Sequence, residues 1–265
     1  MINLIPMAGA GSRFQDEGYI DPKPLIQVAG NFMVTLASKF LPKADKWIYI
    51  CKSEHIDNYQ IDKILKKQNE STSVLTVDKL TEGQASTCLL AKDLIDNDEE
   101  LMIAASDNGM LWDEELFNSL RNEADCLIWT FRNNVTVNEK PAAYGWVDVD
   151  ETGQARKVSV KVPISTNYSS DHAVVGAFWF KKGQLFVTAA ESMIAKNRRV
   201  NNEFYVDEAI NELIELGYKV KVMEIEKYIC WGTPNDLRTF NYWQSFFYID
   251  ENFEYRIEKD IYYGK

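Results

Sequence analysis

The chain has 265 residues, of which 46% are hydrophobic and 26% charged, and its formal net charge is −11. These proportions are typical of a soluble globular protein that buries one substantial core. Because nucleic-acid backbones and most membrane surfaces are themselves anionic, the acidic balance argues against either as the main partner. The N-terminal apolar run is too short and too poor in basic residues for a signal peptide, and no apolar stretch is long enough to cross a bilayer. We therefore expect a cytoplasmic protein.

Strands and helices are predicted to alternate through the first half of the chain. Short apolar runs predict strands at residues 2–7, 47–51, 73–77, 101–105 and 126–131. Helical periodicity separates them at residues 32–40, 53–68, 83–95 and 112–122. This alternation is typical of a parallel sheet with helices on both faces.

The pattern changes after about residue 133. Alternation with a period of two at residues 144–149 and 155–162, around Glu151-Thr152-Gly153, predicts a β-hairpin. The remaining predictions are a strand at 173–180, helices at 184–196 and 206–216, a strand at 218–224 and a helix from Thr233-Pro234 to about 247.

The first strand ends in a turn of small residues that suits a phosphate. Backbone N–H groups left bare by small side chains, with a helix start behind them, bind anions. Two cations follow, Arg13 and Lys23, and the prolines on both sides of Lys23 fix the backbone that carries it. Glycines in a turn are weak evidence alone, but this combination predicts a nucleoside triphosphate site. The residues of the turn are Ala8, Gly9, Ala10, Gly11 and Ser12.

The segments AGAGSRF and DPKPL resemble the signature of the sugar-phosphate nucleotidyltransferase family, Gly-x-Gly-x-Arg followed by Pro-Lys-Pro. These enzymes join a nucleoside triphosphate (NTP) to a phosphorylated acceptor, release pyrophosphate and use Mg²⁺. The resemblance continues in the family's order at residues 81–87, Ser106-Asp107-Asn108, Tyr144-Gly145, Lys161 and Gly232-Thr233-Pro234.

The resemblance implies an α/β fold, with a Rossmann-like mixed, mostly parallel sheet flanked by helices and an acceptor-binding β-hairpin insertion. It implies one nucleotidyltransferase domain over residues 1–265. Residues from 1 to about 132 would form the nucleotide-binding half, and those from about 133 to 265 the acceptor-binding half with a C-terminal helix.

Roles for single residues also follow from the resemblance. Arg13 and Lys23 would be catalytic, and Asp107 would bind Mg²⁺ with the phosphates. The nucleotide-binding set would be Ala8, Gly9, Ala10, Gly11, Ser12, Arg13, Gln84, Ala85 and Ser106. The acceptor-binding set would be Tyr144, Gly145, Lys161 and Glu203.

Some of these residues also have ordinary explanations. The amide of Gln84 can donate and accept at once, which suits the edge of a pyrimidine, but Gln84 could equally start a helix. Alternation places Val158, Val160 and Val162 on one face and leaves Lys161 on the other, where plain solvent exposure is the alternative. Relatives often have Glu-Lys-Pro around that lysine, and this chain has Val160 before it and Val162 after it.

One departure from the family pattern concerns the metal. Many relatives have an aspartate two residues before the glycine at 232, and this chain has Cys230, a poor ligand for Mg²⁺. Either Asp107 and the phosphates hold the ion alone, or another carboxylate substitutes. Asp207 and Glu203 are the candidates, although acidic residues favour helix N-termini in any case.

The expected function is nucleotidyl transfer from a pyrimidine NTP to a sugar 1-phosphate, for precursors of capsule or lipopolysaccharide. A cytidylyltransferase acting on a polyol, amino acid or choline phosphate is one alternative. A metal-dependent glycosyltransferase that uses an NDP-sugar is another, and a non-catalytic nucleotide sensor is a third. The C-terminal aromatic residues favour core or subunit contacts, which leaves a homo-oligomer open: Trp243, Phe246, Phe247, Tyr248, Phe253 and Tyr255.

Overall fold

The computed structural model describes residues 1–249. The strands are β1 Ile2–Pro6, β2 Gln27–Val28, β3 Asn31–Phe32, β4 Lys46–Lys52, β5 Thr72–Val77, β6 Leu101–Ala104, β7 Asn108–Leu111, β8 Cys126–Phe131, β9 Gly145–Val149, β10 Ala155–Val160, β11 His172–Phe180, β12 Val220–Glu224 and β13 Lys227–Cys230. The α-helices are α1 Ser12–Gln15, α2 Met33–Ser38, α3 Ser53–Tyr59, α4 Ile61–Gln68, α5 Gln84–Leu89, α6 Lys92–Ile95, α7 Glu114–Glu123, α8 Gly183–Ala195, α9 Val206–Glu215 and α10 Pro234–Ile249.

Nine of the strands in this described part of the chain form one sheet, in the order β10-β9-β11-β6-β1-β4-β5, with β8 beside β11 and β12 beside β8. Strand β1 pairs in parallel with β4 and β6, β4 with β5, and β12 with β8. Strand β11 runs antiparallel to β6, β8 and β9, and β10 runs antiparallel to β9. Seven strands therefore share one direction, and the predicted mixed, mostly parallel sheet is confirmed.

Both faces of the sheet are covered, as the strand patterns predicted. Along β1, Leu4 packs into the core beneath α5, α8 and α9, and its neighbour Ile5 packs into the core on the opposite face. Burying a side chain of this kind stabilises the fold by about 1.5–3 kcal/mol. The carboxyl ends of β1 and β6 consequently have a rigid base, and the segments that follow them form the site.

Two predicted helices are interrupted. The helix predicted at residues 53–68 is divided into α3 and α4 at Gln60, whose φ of 52° is left-handed. The helix predicted at 83–95 is divided into α5 and α6, because Ala91 leaves the helical region with ψ of 11°. Strands β7 and β13 form a separate antiparallel ribbon that local patterning did not predict.

The C-terminal helix α10 carries the predicted aromatic residues. Trp243 is 50% exposed, and its ring contacts those of Phe246 and Phe247. Phe253 and Tyr255 lie outside the described residues, so a subunit contact through this region stays a prediction. Over residues 1–249, none of the helices combines the length and the apolar character that a membrane span requires.

Candidate active site

A cleft of about 490 Å³ lies at the carboxyl ends of β1 and β6. Most of the predicted nucleotide and catalytic residues line it together: Ala8, Gly9, Ala10, Gly11, Ser12, Arg13, Lys23, Gln84, Ser106, Asp107 and Glu203. Its walls include part of residues 80–87, a segment that we call the nucleotide loop after its predicted role. They also include part of a segment that we call the acceptor turn, residues 200–205. Residues from both sides of position 133 therefore line the same cleft.

The small-residue turn leads into α1 through Gly11. Its φ of 67° is left-handed, and an added Cβ would lie 3.4 Å from Lys23 Cβ, so the turn and the lysine segment are in close contact. Phe14, three residues after Gly11, is buried beneath the turn and packs edge-on against Tyr19. The ammonium of Lys23 lies 5.8 Å from the centroid of the Phe14 ring, a favourable position for a cation over an aromatic face.

Lys23 and Asp107 meet inside the cleft. Lys23 begins a short 3-10 turn, Lys23–Leu25, and its Nζ donates to Asp107 Oδ2 at 2.5 Å. The backbone N–H of Trp231 donates to the Asp107 carbonyl at 2.9 Å, which fixes the segment after β6. Gly232 packs against the same carboxylate, because a Cβ there would lie 2.9 Å from Oδ2. A side chain at residue 232 would therefore displace the carboxylate from its present position.

Cys230 lies beside this group as a neutral thiol. Burial, reinforced by the negative charges of Asp107 and Asp236, raises the pKa of Cys230 to about 12. Its Sγ accepts from the Gly232 N–H at 3.3 Å and lies 3.4 Å from Asp236 Oδ2. Asp236 itself accepts from Thr233 Oγ1 at 2.6 Å, and its N–H bonds back to that oxygen at 3.2 Å, which caps the start of α10. Both side chains are thus engaged locally.

The two candidates for a second metal ligand lie in different places. Glu203 lines the cleft with Asp107, whereas Asp207 does not line it. Asp207 is 8% exposed and packs against Gly145, where an added Cβ would lie 2.5 Å from Oδ2. Burial raises the pKa of Asp207 to about 6. The predicted metal role of Asp207 has no support from this position, and it stays a prediction.

Asp107 is compatible with Mg²⁺ without a protein cage. Within residues 1–249, no group of three or more His, Cys, Asp or Glu side chains could hold a metal ion. Magnesium is commonly bound through one or two carboxylates together with substrate phosphates. The Asp107 carboxylate, one quarter exposed and facing the cleft, meets that requirement.

Lys161 follows directly after β10 and leaves the extended path of that strand. Its φ of 63° is left-handed, its N–H donates to the Tyr144 carbonyl at 3.1 Å, and its Nζ donates to the Ala143 carbonyl at 2.5 Å. The predicted alternation consequently ends at Val160, and Val162 is 61% exposed instead of facing the core. Burial lowers the pKa of Lys161, and the charge of Asp207 opposes that effect. The lysine is half-buried, not free in solvent.

Two residues that were predicted to contact the substrates are less accessible than expected. Ala85 is fully buried, and its N–H donates to the Phe204 carbonyl at 2.9 Å. Tyr144 packs its ring against Phe131 and Trp146, and burial raises its pKa to about 12. Neither residue lines the cleft, so their contacts with substrates stay predictions.

Sequence reasoning missed Tyr205. It lines the cleft two residues after Glu203. Burial, and to a smaller extent the neighbouring Glu203 carboxylate, raises the pKa of Tyr205 to about 12. The ammonium of Lys161 lies 5.7 Å from the centroid of its ring. In the sequence, Tyr205 could have been found only by its spacing from Glu203, because side chains two residues apart lie on the same side of an extended segment.

Comparison with family models identifies one family. The family model described as nucleotidyl transferase matches residues 2–244. A comparison with curated proteins gave no match.

Similar solved structures include a nucleoside-diphosphate-sugar pyrophosphorylase from Vibrio cholerae RC9, with a TM-score of 0.74 and 20% identity over 91% of this chain and 99% of that one. The inositol-1-phosphate CTP transferase from T. maritima has a TM-score of 0.70 and 14% identity, over 93% and 96% of the two chains. A UDP-glucose pyrophosphorylase complexed with UDP-glucose has a TM-score of 0.69 and 15% identity, over 92% and 98%. Because these sequence identities are low, the similarity to the three structures shows the fold alone.

Proposed function

Because the chain belongs to the nucleotidyl transferase family, we propose that it joins a pyrimidine NTP to a sugar 1-phosphate, giving an NDP-sugar and pyrophosphate. The observation that supports this most is the convergence of the small-residue turn, Lys23 and Asp107 in one cleft. Bare N–H groups, a held ammonium and a carboxylate able to share a cation are the parts that phosphoryl chemistry needs.

The proposed reaction needs no strong general base, because the acceptor's phosphate oxygen is already anionic. That oxygen attacks the α-phosphorus of the NTP in line, a new P–O bond forms, and the bond to the β-phosphate oxygen breaks with release of pyrophosphate. The backbone N–H groups of residues 9–12 and the Arg13 guanidinium hold the triphosphate. Lys23 neutralises charge that grows on the α-phosphoryl group. Asp107 and the substrate's phosphate oxygens would hold Mg²⁺, which when bound neutralises further triphosphate charge.

The choice of base rests on Gln84. Its side chain lines the cleft at the start of α5, where an amide that donates and accepts can pair with the edge of a pyrimidine. CTP, UTP and dTTP are therefore the NTPs that we propose.

The acceptor has two candidate classes. A sugar 1-phosphate is the first, and a place in precursor synthesis for a surface polysaccharide, in the cytoplasm, belongs to this proposal. The likeness to an inositol-1-phosphate CTP transferase favours a second, in which CTP is joined to a non-sugar phosphate such as a polyol, amino acid or choline phosphate.

The test is pyrophosphate release from a panel of ATP, GTP, CTP, UTP and dTTP, each crossed with sugar 1-phosphates and with polyol, amino acid and choline phosphates. We expect turnover with one pyrimidine NTP and one acceptor class, dependent on Mg²⁺. Turnover with a purine NTP alone would contradict the role of Gln84. Consumption of an NDP-sugar without any NTP requirement would replace the proposal with a glycosyltransferase.

A further inference from the structure

The nucleotide loop and the acceptor turn are joined by backbone hydrogen bonds at the rim of the cleft. The Phe204 N–H donates to the Glu82 carbonyl at 2.7 Å, and the Ala85 N–H donates to the Phe204 carbonyl at 2.9 Å. Gly83 makes this approach possible, because an added Cβ would lie 2.6 Å from both the nitrogen and the oxygen of Phe204. The two segments, which belong to opposite halves of the chain, are consequently held in one register.

The acceptor turn is itself a defined structure. Val200 and Glu203 exchange two backbone hydrogen bonds of 3.0 and 2.9 Å around Asn201 and Asn202. Both asparagines are left-handed, with φ of 49° and 64°. Two successive left-handed residues are the mark of a type I′ turn, and asparagine is among the side chains that tolerate that conformation best. The position of Glu203 therefore depends on how this whole turn is held.

Arg199 fastens the acceptor turn to the nucleotide loop. Its Nη2 contacts Glu82 Oε1 at 2.8 Å, and its guanidinium carbon lies 4.0 Å from the centroid of the Phe204 ring. Its Nη1 donates to the Asn202 carbonyl at 3.2 Å, and its Nε donates to Asn197 Oδ1 at 2.7 Å. One planar guanidinium thus engages both segments at once, and a lysine, which has one ammonium and no flat face, could make only some of these contacts.

Each of these contacts is weak alone. Glu82 is 66% exposed, and an exposed ion pair contributes little to stability. The stacking on Phe204 and the bond to the turn carbonyl act on the same guanidinium, so the three contacts hold the two segments together in one arrangement. Arg199 does not line the cleft. Its effect on substrates must therefore pass through the segments that do.

We infer that Arg199 is a positioning residue that couples the nucleotide subsite to the acceptor subsite. When a nucleotide binds and further restrains the nucleotide loop, Arg199 and the paired backbone restrain the acceptor turn with it, which holds Glu203 and Tyr205 in place for the phosphorylated acceptor. By linkage, the acceptor strengthens nucleotide binding by the same factor. This inference rests on the proposed function.

Hydrogen exchange on the full chain without ligand tests whether Arg199 holds the two segments together. In Arg199→Ala we expect the Phe204 and Ala85 amides to exchange about five- to tenfold faster, because the ion pair and the stacking are lost. Glu82→Ala, a substitution at an exposed position, should give a change in the same direction. Arg121→Ala is the matched control, because Arg121 pairs with Glu100 at 3.1 Å and stacks 5.5 Å from Phe117 on α7. Unchanged exchange in Arg199→Ala would overturn the inference.

Steady-state kinetics supply the second measurement. With the best NTP and acceptor from the panel, Arg199→Ala should raise the KM for both substrates about fivefold or more, and Arg199→Lys should restore part of the loss. A lower Tm with both KM values unchanged would show a merely structural residue and overturn the inference. If the wild-type chain releases no pyrophosphate with any pair, the proposed function fails, and the exchange experiment still decides whether Arg199 holds the two segments together.

Discussion

Lys23 Nζ and Asp107 Oδ2 form a 2.5 Å ion pair in which each side chain is 25% exposed. The two residues come from segments that are 84 positions apart in the chain. Each has a second role in the proposed reaction, since the ammonium would act on a phosphoryl group and the carboxylate would share a cation. The pair keeps both charges compensated in the free enzyme and holds them at the proposed triphosphate site.

Lys23→Ala should lower kcat about 10²- to 10³-fold, because a charge-stabilising donor to the transition state is removed. The fold should be little affected, because a partly exposed ion pair contributes about 1 kcal/mol or less. Pyrophosphate release and thermal unfolding measure the two effects. Lys46→Ala is the control, because Lys46 pairs with Glu99 at 2.6 Å on the surface. Near-native turnover in Lys23→Ala would remove the catalytic assignment.

Gly83→Ala should destabilise the fold by about 3 kcal/mol, since the added Cβ would clash with the Phe204 backbone at a strained φ. Gly18→Ala is matched to it, because Gly18 also has positive φ, 84°, but nothing lies within 4 Å of its added Cβ. That control should lose only about 1 kcal/mol from conformational strain. Urea unfolding measures both variants, and equal losses would show that the close approach of the two segments contributes nothing.

Asp207 predicts a specific pH dependence of stability. Its pKa is raised from 3.8 to about 6 by burial, so the folded chain binds this proton more tightly than the unfolded chain does. Stability from this group is then largest below about pH 4 and is lost as the pH rises towards 6. Asp207→Asn has no titrating group at this position and does not lose this contribution as the pH rises. Its free energy of unfolding relative to the wild type should therefore increase between pH 4 and pH 6. A difference that stays constant across this interval would contradict the assignment.

Cys230→Asp tests the missing metal ligand. A third carboxylate beside Asp107 and Asp236 should lower Tm in the absence of metal through like-charge repulsion, and Mg²⁺ with nucleotide should then raise Tm more than in the wild type. Calorimetric titration of Mg²⁺ in the presence of nucleotide should show tighter binding. Cys230→Ser, which adds no charge, should leave the Mg²⁺ response unchanged. An equal Mg²⁺ response in both variants would show that this position does not face the ion.

Local patterns were sufficient for the parallel part of the sheet, and for the small-residue turn with Lys23. These signals lie within a few residues, because each follows from the end of a strand or from fixed proline geometry. The mixed character of the sheet and the role expected for Asp107 came from the family resemblance. The remainder depends on contacts between distant segments. The ribbon of β7 and β13, the left-handed Lys161 and the approach of Gly83 to Phe204 exist only once the chain has folded. Short segments of this kind have no period to detect.

The continuous sheet limits how the enzyme can move. Strand β6 of the first half pairs with β11 of the second, and one core contains Ile103 from β6 together with Phe178 from β11. A hinge between the halves would have to break that ladder and open the core. The ladder and the shared core therefore oppose any motion of one half against the other, and a change in the shape of the cleft has to come from the loops around it.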